Sequence, residues 1–167
     1  MIRRVLIFGF LTLALALSLC AQPPTPTKMA TAFGPDSKFD PTRDPAQDLR
    51  ATIAEAQASH RLILLDVGGQ WCSWCKYFDH FFEEHADLRK FRDEHFVVMK
   101  VNFSRENENS AFLTGYPKVK GYPHLFVLDS DGKLLHSQDT DVLEQGKGYN
   151  PEAVSKFLHT WAKRQKS

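Results

Sequence analysis

The chain has 167 residues, enough for one domain with a buried core, and 43% of them are hydrophobic. Its 21 basic and 20 acidic residues leave a net charge of +1, so the charge gives no reason to expect a nucleic-acid partner. The 13 phenylalanines favour a packed domain over a disordered chain. We therefore expect one globular domain, a monomer, that does not bind nucleic acid.

The first 21 residues resemble an export signal. A short basic head is followed by an apolar run over residues 5–19 and then by small residues. About 15 apolar residues are too few for a membrane span, which needs roughly 20, but they suit the apolar part of a secretory signal. We predict a signal peptide over residues 1–21 and a bacterial protein that is periplasmic or secreted. The residues before Cys20 resemble a lipobox, although leucine stands where Gly, Ala or Ser is usual. Lipid anchoring at Cys20 and its removal with the signal therefore both stay open.

Residues 22–45 are predicted to form a linker. They contain six of the nine prolines and few large apolar side chains, so they cannot bury enough surface to offset their ordering entropy. We expect no chemistry from this segment and place the folded domain at residues 46–167. Cys72 and Cys75 are then the cysteines of that domain, in an oxidising compartment.

Hydrophobic periodicity divides the domain into helices and strands. A helix over residues 46–60 has one apolar face, and the apolar run over residues 62–67 predicts a strand that is buried on both sides. The further predicted elements, in chain order, are a helix starting at the cysteines, a short helix over 88–94 capped by Asp87, a strand over 96–103, a brief helix over 107–114, strands over 125–128 and 133–137 joined by a hairpin turn, and a helix over 151–164. Strands joined through helices should be parallel, and the closing hairpin should be antiparallel.

The segment GGQWCSWCK, residues 68–76, places Cys72 and Cys75 between the first buried strand and the helix after it. Cys72 should face unpaired N–H groups and the positive end of the helix dipole, which favours the thiolate and lowers its pKa. Cys75, one turn further in, should be more enclosed and keep its proton longer. This asymmetry suits thiol–disulfide exchange, in which one thiolate attacks and the second thiol releases the mixed disulfide.

The motif WCSWCK at residues 71–76 resembles the active site of the thioredoxin-like superfamily, which carries W-C-x-x-C-K between its first buried strand and a helix. Asp66 stands where thioredoxin has a buried acidic residue, and Gly121-Tyr122-Pro123 resembles the cis-proline loop of the family. The resemblance covers residues 46–165 and is strongest to exported bacterial members. It implies an α/β thioredoxin-like fold, with a central mixed sheet flanked by helices.

The resemblance also implies a thiol–disulfide oxidoreductase that needs no cofactor. Cys72 would be the nucleophile and Cys75 the resolving thiol, and the two would alternate between a dithiol and a disulfide. A buried Asp66 would have a raised pKa and accept the proton of Cys75, unless it merely ends the strand in a hydrogen-bonded turn. Pro123 would take a cis bond beside the cysteines, leaving neighbouring backbone groups for an extended substrate.

Three aromatic residues near these positions are expected to bind the substrate: Trp71, Trp74 and Tyr122. For Trp71, simple packing under the helix is the alternative. The expected partners are protein thiols or disulfides and a membrane-bound redox protein that renews the dithiol or disulfide.

Three departures from thioredoxin limit the comparison. Ser73-Trp74 replaces Gly-Pro between the cysteines, so the redox potential and the direction of electron flow cannot be carried over. Gly68-Gly69 replaces bulkier residues, which suggests a looser or differently shaped approach to the site. The stretch over residues 102–122 is longer than in thioredoxin and is either a substrate-shaping insertion or a surface loop.

Other uses of the two cysteines stay open. A zinc site of Cys72 and Cys75 with His80 and His85 is disfavoured, because two histidines five residues apart on one helix point about 140° away from each other. A helix break before His85 would be needed to bring them together. A copper site made of Cys72, Cys75 and His124 is a further alternative, since His124 directly follows Pro123. The last alternative is a purely structural disulfide.

Overall fold

The structure, a computed structural model, describes residues 38–164 of the chain. The predictions of a signal peptide over residues 1–21, of an anchor at Cys20 and of the first part of the linker lie outside the described residues. Within residues 38–164, none of the helices has both the length and the apolar character that a membrane crossing requires.

The described residues alternate between helices and strands in the predicted order. The elements are α1 (Pro45–Ser59), β1 (Leu62–Gly68), α2 (Ser73–Glu84), α3 (Ala86–His95), β2 (Phe96–Asn102), α4 (Ser110–Leu113), β3 (His124–Leu128), β4 (Leu134–Asp139), a 3-10 turn (Thr140–Leu143), β5 (Glu144–Gln145), β6 (Gly148–Tyr149) and α5 (Pro151–Arg164). The 3-10 turn and the short β5–β6 ribbon were not predicted, because two-residue strands carry no readable periodicity.

The four longer strands form one mixed sheet in the order β2-β1-β3-β4. As predicted, β1 and β2 are parallel and the β3–β4 hairpin is antiparallel. β3 also pairs antiparallel with β1, which puts β1 in the middle of the sheet. The result is the predicted thioredoxin-like α/β fold, with helices on both faces of a mixed sheet.

Alternate residues of β1 face two separate halves of the core. Leu62 and Leu64 pack with the apolar faces of α2, α3 and α5, whereas Ile63, Leu65 and Val67 pack with α1 and the region around α4. Because side chains alternate, Asp66 belongs to the same face as Leu62 and Leu64. The only acidic residue of β1 therefore lies on the side where α2 and its cysteine are packed.

A side-chain cap explains where α1 begins, and α3 begins one residue before the predicted cap. The side chain of Asp44 accepts hydrogen bonds from the N–H groups of Ala46 and Gln47, and Pro45 occupies the first helical position. The predicted cap at Asp87 is wrong, because α3 begins at Ala86 and Asp87 lies in its first turn. There its carboxylate still lies near the positive end of the helix dipole.

Candidate active site

Cys72 lies directly before α2, after β1 has ended, and Cys75 lies in the first turn of α2; the two cysteines form a disulfide. Cys72 is the N-cap residue of α2, and its sulfur accepts a hydrogen bond from the N–H of Cys75 at 3.0 Å. An N–H aimed at this sulfur, together with the positive end of the helix dipole, favours a thiolate at Cys72 once the disulfide is reduced. Both residues are almost fully buried, 3% and 1% exposed, so the predicted difference in their enclosure is small.

Of the two expectations for Gly68-Gly69, a looser approach to the site is wrong, and a differently shaped one stays a prediction. A Cβ on Gly68 would lie 2.5 Å from the sulfur of Cys75 and 3.0 Å from the ring of Phe39. A Cβ on Gly69 would lie 2.5 Å from the indole nitrogen of Trp71 and 2.7 Å from the carbonyl oxygen of Phe103. Any larger residue at either position would collide with these atoms, so the packing requires glycine at both.

Asp66 is buried, as the resemblance implies, and it has a partner that was not predicted from the sequence. Lys100 lies directly opposite Asp66 in the parallel register of β1 and β2, and its ammonium group donates to Asp66 Oδ2 at 3.1 Å. The same ammonium donates to Asp79 of α2 at 2.6 Å. A lysine inside the apolar strand FVVMKVN was the available signal, since such a charge must find a partner.

The electrostatics of this cluster combine burial and charge. Burial raises the pKa of Asp66, and the attraction of Lys100 opposes that rise. Burial alone would lower the pKa of Lys100, but the negative charges of Asp66 and Asp79 hold it above its ordinary value. The second oxygen of Asp66, Oδ1, is buried and has no hydrogen-bond partner among residues 38–164. Lys100 thus stays charged, while Asp66 has an oxygen available for a proton.

The segment before α1 is part of the site. The domain boundary at residue 46 stays a prediction, but Phe39, inside the predicted linker, is buried in one apolar cluster with Cys72 and Cys75. A phenylalanine in a proline-rich stretch was the available signal, and its burial was not predicted.

The predicted loop around Pro123 lies beside the cysteines, and the Tyr122–Pro123 bond is cis, as expected. Tyr122 packs against the cysteine cluster. The carbonyl oxygen of Pro123 accepts a hydrogen bond from the hydroxyl of Thr140 at 2.6 Å, so the 3-10 turn holds this loop in place.

Aromatic rings surround the disulfide. Trp71 is 56% exposed, donates its indole N–H to the carbonyl of Phe103 at 2.7 Å, and meets the ring of Tyr122 edge-on. Trp74 is half-buried and meets the rings of Tyr77 and Tyr149 edge-on. The alternative that Trp71 packs under the helix is therefore wrong, whereas Trp74 divides its surface between the core and solvent.

Two grooves begin at these rings. One, of about 560 Å³, runs from Trp71 along residues 103–108, the first part of the long stretch between β2 and Pro123. The other, of about 340 Å³, lies between Trp74, Tyr122 and the 3-10 turn. The stretch over residues 102–122 therefore shapes the surface next to the disulfide.

The residues of the copper alternative are not assembled into a site. His124 is buried on β3, with Nε2 2.8 Å from the Ser137 hydroxyl and Nδ1 3.2 Å from the Asp139 carboxylate, both on β4. Burial lowers the pKa of His124 despite the nearby Asp139, which favours a neutral ring held by its strand neighbours. Within the described part of the chain, no three His, Cys, Asp or Glu side chains are grouped so that they could hold a metal ion.

The zinc alternative has no assembled ligand set either. His80 lies on the exposed side of α2, where it pairs with Glu83 and Glu84. His85 packs its ring on Phe81 where α2 ends. His80 therefore forms ion pairs on the surface of α2, and His85 packs at its C-terminal end.

Comparison with known proteins agrees with this geometry. A family described as thioredoxin-like matches residues 44–130. The chain is 31% identical over 107 residues to the thiol:disulfide interchange protein DsbD of Pseudomonas sp. (strain JR1 / K1), over 60% of this chain and 17% of that protein. It is 25% identical over 91 residues to the disulfide bond reductase DsbH of Chlamydia pneumoniae, over 50% of this chain and 55% of the relative. The matched region is thus less than two thirds of either relative.

Solved structures support the fold. The disulphide isomerase from Xylella fastidiosa Temecula1 superposes with a TM-score of 0.62 at 20% identity, over 74% of this chain and 95% of that one. The C-terminal domain of DsbD from Neisseria meningitidis, in the oxidised form, gives a TM-score of 0.51 at 20% identity, over 76% of this chain and 98% of that one. At these identities the likeness concerns the fold alone.

Proposed function

Because the chain belongs to the thioredoxin-like family, we propose that it is an exported thiol–disulfide oxidoreductase that exchanges its Cys72–Cys75 disulfide with cysteines of partner proteins. The observation that carries the proposal is the position of this disulfide, at the N-terminus of α2 with an N–H aimed at the sulfur of Cys72. The relatives named as a thiol:disulfide interchange protein and a disulfide bond reductase support it.

The exchange has two balanced steps. In the reduced protein, the Cys72 thiolate attacks one sulfur of a partner disulfide, forms a mixed disulfide and expels the other partner sulfur as a thiolate. Cys75 then loses its proton and attacks Cys72, which breaks the mixed disulfide and re-forms the Cys72–Cys75 bond. The partner disulfide has gained two electrons and this protein has lost two. Run backwards, the same steps oxidise a partner dithiol, and the potentials of the two couples decide the direction.

Asp66 is proposed to take the proton that Cys75 loses. Asp79 lies one turn after Cys75 on α2, and Lys100 joins it to Asp66 on β1, so the ion cluster extends from the strand to the helix that carries Cys75. Within residues 38–164, Oδ1 of Asp66 has no hydrogen-bond partner, and this oxygen and the raised pKa of Asp66 suit a proton acceptor in a buried site.

The partner is proposed to bind across the aromatic surface around the disulfide. Trp71 offers its exposed face, while Trp74 and Tyr122 line the groove next to Pro123. These rings supply apolar contact area without regard to partner sequence, which suits a protein that acts on several substrates. We further propose that a membrane-bound redox protein renews the active form, and that residues 1–21 direct export.

A second candidate function is favoured by one observation. Both cysteines are nearly inaccessible, as in a structural disulfide that holds the start of α2 in place. On this alternative the protein would be a non-catalytic module, and removal of the disulfide would change stability alone.

The test compares wild type with Cys72→Ser and Cys75→Ser in the reduction of a protein disulfide such as insulin by a small thiol. We expect the wild type to accelerate the reaction and Cys72→Ser to be inactive. Cys75→Ser should accumulate a mixed disulfide between Cys72 and the substrate, visible as a mass increase. A wild type without exchange activity, and of lower stability after reduction, would support the structural alternative and refute the proposed function.

A further inference from the structure

Phe39 lies outside the region matched by the family, and yet it is packed into the redox site. Its side chain is 5% exposed and shares one apolar cluster with Cys72 and Cys75. Its ring and the sulfur of Cys75 both border the position that a Cβ on Gly68 would take, at 3.0 Å and 2.5 Å from it. The ring therefore packs into the buried cluster that holds the disulfide, beside the sulfur of Cys75.

The same ring covers the buried ammonium group of the site. Nζ of Lys100 lies 4.2 Å from the centroid of Phe39, in the geometry of a cation–π contact. The ammonium thus has Asp66 and Asp79 as charged partners and an aromatic face as a further neighbour. An aromatic face stabilises this cation and at the same time takes the place of the water that a surface lysine would bind.

Hydrogen bonds from two further parts of the site hold the segment over residues 39–44, called the strap below. The side-chain amide of Gln70, in the turn before Cys72, donates to the carbonyl oxygen of Phe39 at 3.0 Å. The side-chain amide of Asn107, in the stretch after β2, donates to the carbonyl oxygen of Pro41 at 2.9 Å. Asp44 then caps α1, so the strap is anchored at its start, middle and end.

We propose that Phe39 is a positioning residue of the redox site, which closes the buried side of the disulfide and keeps water from the ion pair of Asp66 and Lys100. The inference rests on the proposed exchange function. It adds to that function a residue from the segment before the family match, which controls the group that takes the proton of Cys75.

The direction of the effect follows from the charges that face Asp66. Lys100 on β2 and Arg92 on α3 favour its ionised form, while Asp79 on α2 and burial oppose it. Tyr149 on β6 is neutral at physiological pH, because burial raises its pKa further above the ordinary value. Removing the ring of Phe39 admits water and weakens the burial contribution, and the charged partners stay in place. The pKa of Asp66 should then fall towards its ordinary value.

The experiment measures the release step directly. Reduced protein in excess is mixed with 5,5′-dithiobis(2-nitrobenzoate), and release of thionitrobenzoate is followed by stopped flow across a range of pH. The first release reports attack by Cys72, and the second reports displacement by Cys75. The pH midpoint of the second phase is compared in wild type, Phe39→Ala, Phe39→Leu and Phe91→Ala. Phe91 is an aromatic control outside the cysteine cluster, since it stacks on His95 of α3 and contacts His159 of α5.

We expect Phe39→Ala to move the midpoint of the second phase to lower pH. Phe39→Leu keeps an apolar cover and should stay near wild type, and Phe91→Ala should lose stability without a change of midpoint. If Phe39→Ala does not fold, Gln70→Ala decides, because it removes the exposed anchor of the strap and should move the midpoint in the same direction by less.

Two results overturn the inference. One is an unchanged midpoint in Phe39→Ala, or in Gln70→Ala if that variant has to decide. The other is an equal shift in Phe91→Ala, which would mean that general loosening of the fold moves the midpoint. A wild type that releases no thionitrobenzoate at all would refute the exchange function itself, and the inference with it.

Discussion

Substitution of Gly68 by alanine tests the packing on which the site depends. A Cβ at this position would lie 2.5 Å from the sulfur of Cys75 and 3.0 Å from the ring of Phe39, whereas carbon atoms in contact prefer about 3.5–4.0 Å. Overpacking of this kind costs about 1–3 kcal/mol. Gly68 lies in a strand without a positive φ, so the backbone itself accepts alanine, and the whole penalty comes from these two contacts.

Gly148→Ala is the matched control. A Cβ on Gly148 would have no atom within 4 Å, and its φ is not positive either. Both substitutions remove the same freedom from the unfolded chain, which stabilises the protein by about 0.4–1 kcal/mol. This contribution cancels in the comparison, so Gly68→Ala should be less stable than Gly148→Ala by about 1–3 kcal/mol.

The assay is urea unfolding of both variants in the oxidised and in the reduced state. We expect the difference between the variants to be larger when the protein is oxidised, because reduction frees the sulfur of Cys75 to rotate away from the added methyl group. Equal unfolding midpoints of Gly68→Ala and Gly148→Ala in the oxidised state would refute the packing described here, since the space above Gly68 would then be free.

The buried ion cluster supports two more predictions. Lys100→Met leaves Asp66 without its buried cation and should destabilise the protein by about 3–5 kcal/mol at pH 7, measured by urea unfolding. The loss should shrink at pH 4, and an equal loss at both values would contradict the pairing. The pKa of Asp66 is higher in the folded protein than in the unfolded chain, where it is about 3.9. Protonated Asp66 therefore stabilises the folded state below about pH 3.9, and this stabilisation is lost as pH rises through the pKa of Asp66 in the folded protein. Asp66→Asn should therefore gain stability relative to wild type as pH rises from 4 to 7, by about 1.4 kcal/mol for each unit by which the pKa is raised, while its second thionitrobenzoate release slows. A pH-independent difference between the two proteins would rule this out.

Much of the fold could be predicted because its signals are local. The apolar runs of β1 and β2, the periodic faces of α1 and α5, and the turn before β4 each lie within one short stretch of sequence. The boundaries of these elements agree with the predictions to within a few residues. The interior order of the sheet was not predicted, because pairing of β3 with β1 joins residues that are distant in the chain.

For the site, the sequence by itself determined the chemistry that is available: two cysteines at the start of a helix, an acidic residue at the end of the preceding strand and a proline loop before β3. Tertiary structure decided which groups surround them. Register across two parallel strands places Lys100 beside Asp66, and packing of the segment before α1 into the cysteine cluster places Phe39 beside Cys75. The local sequence shows a lysine inside an apolar strand and a phenylalanine in a proline-rich stretch, but not what either one contacts, because the burial of a charge or of an aromatic ring depends on what the rest of the fold packs around it.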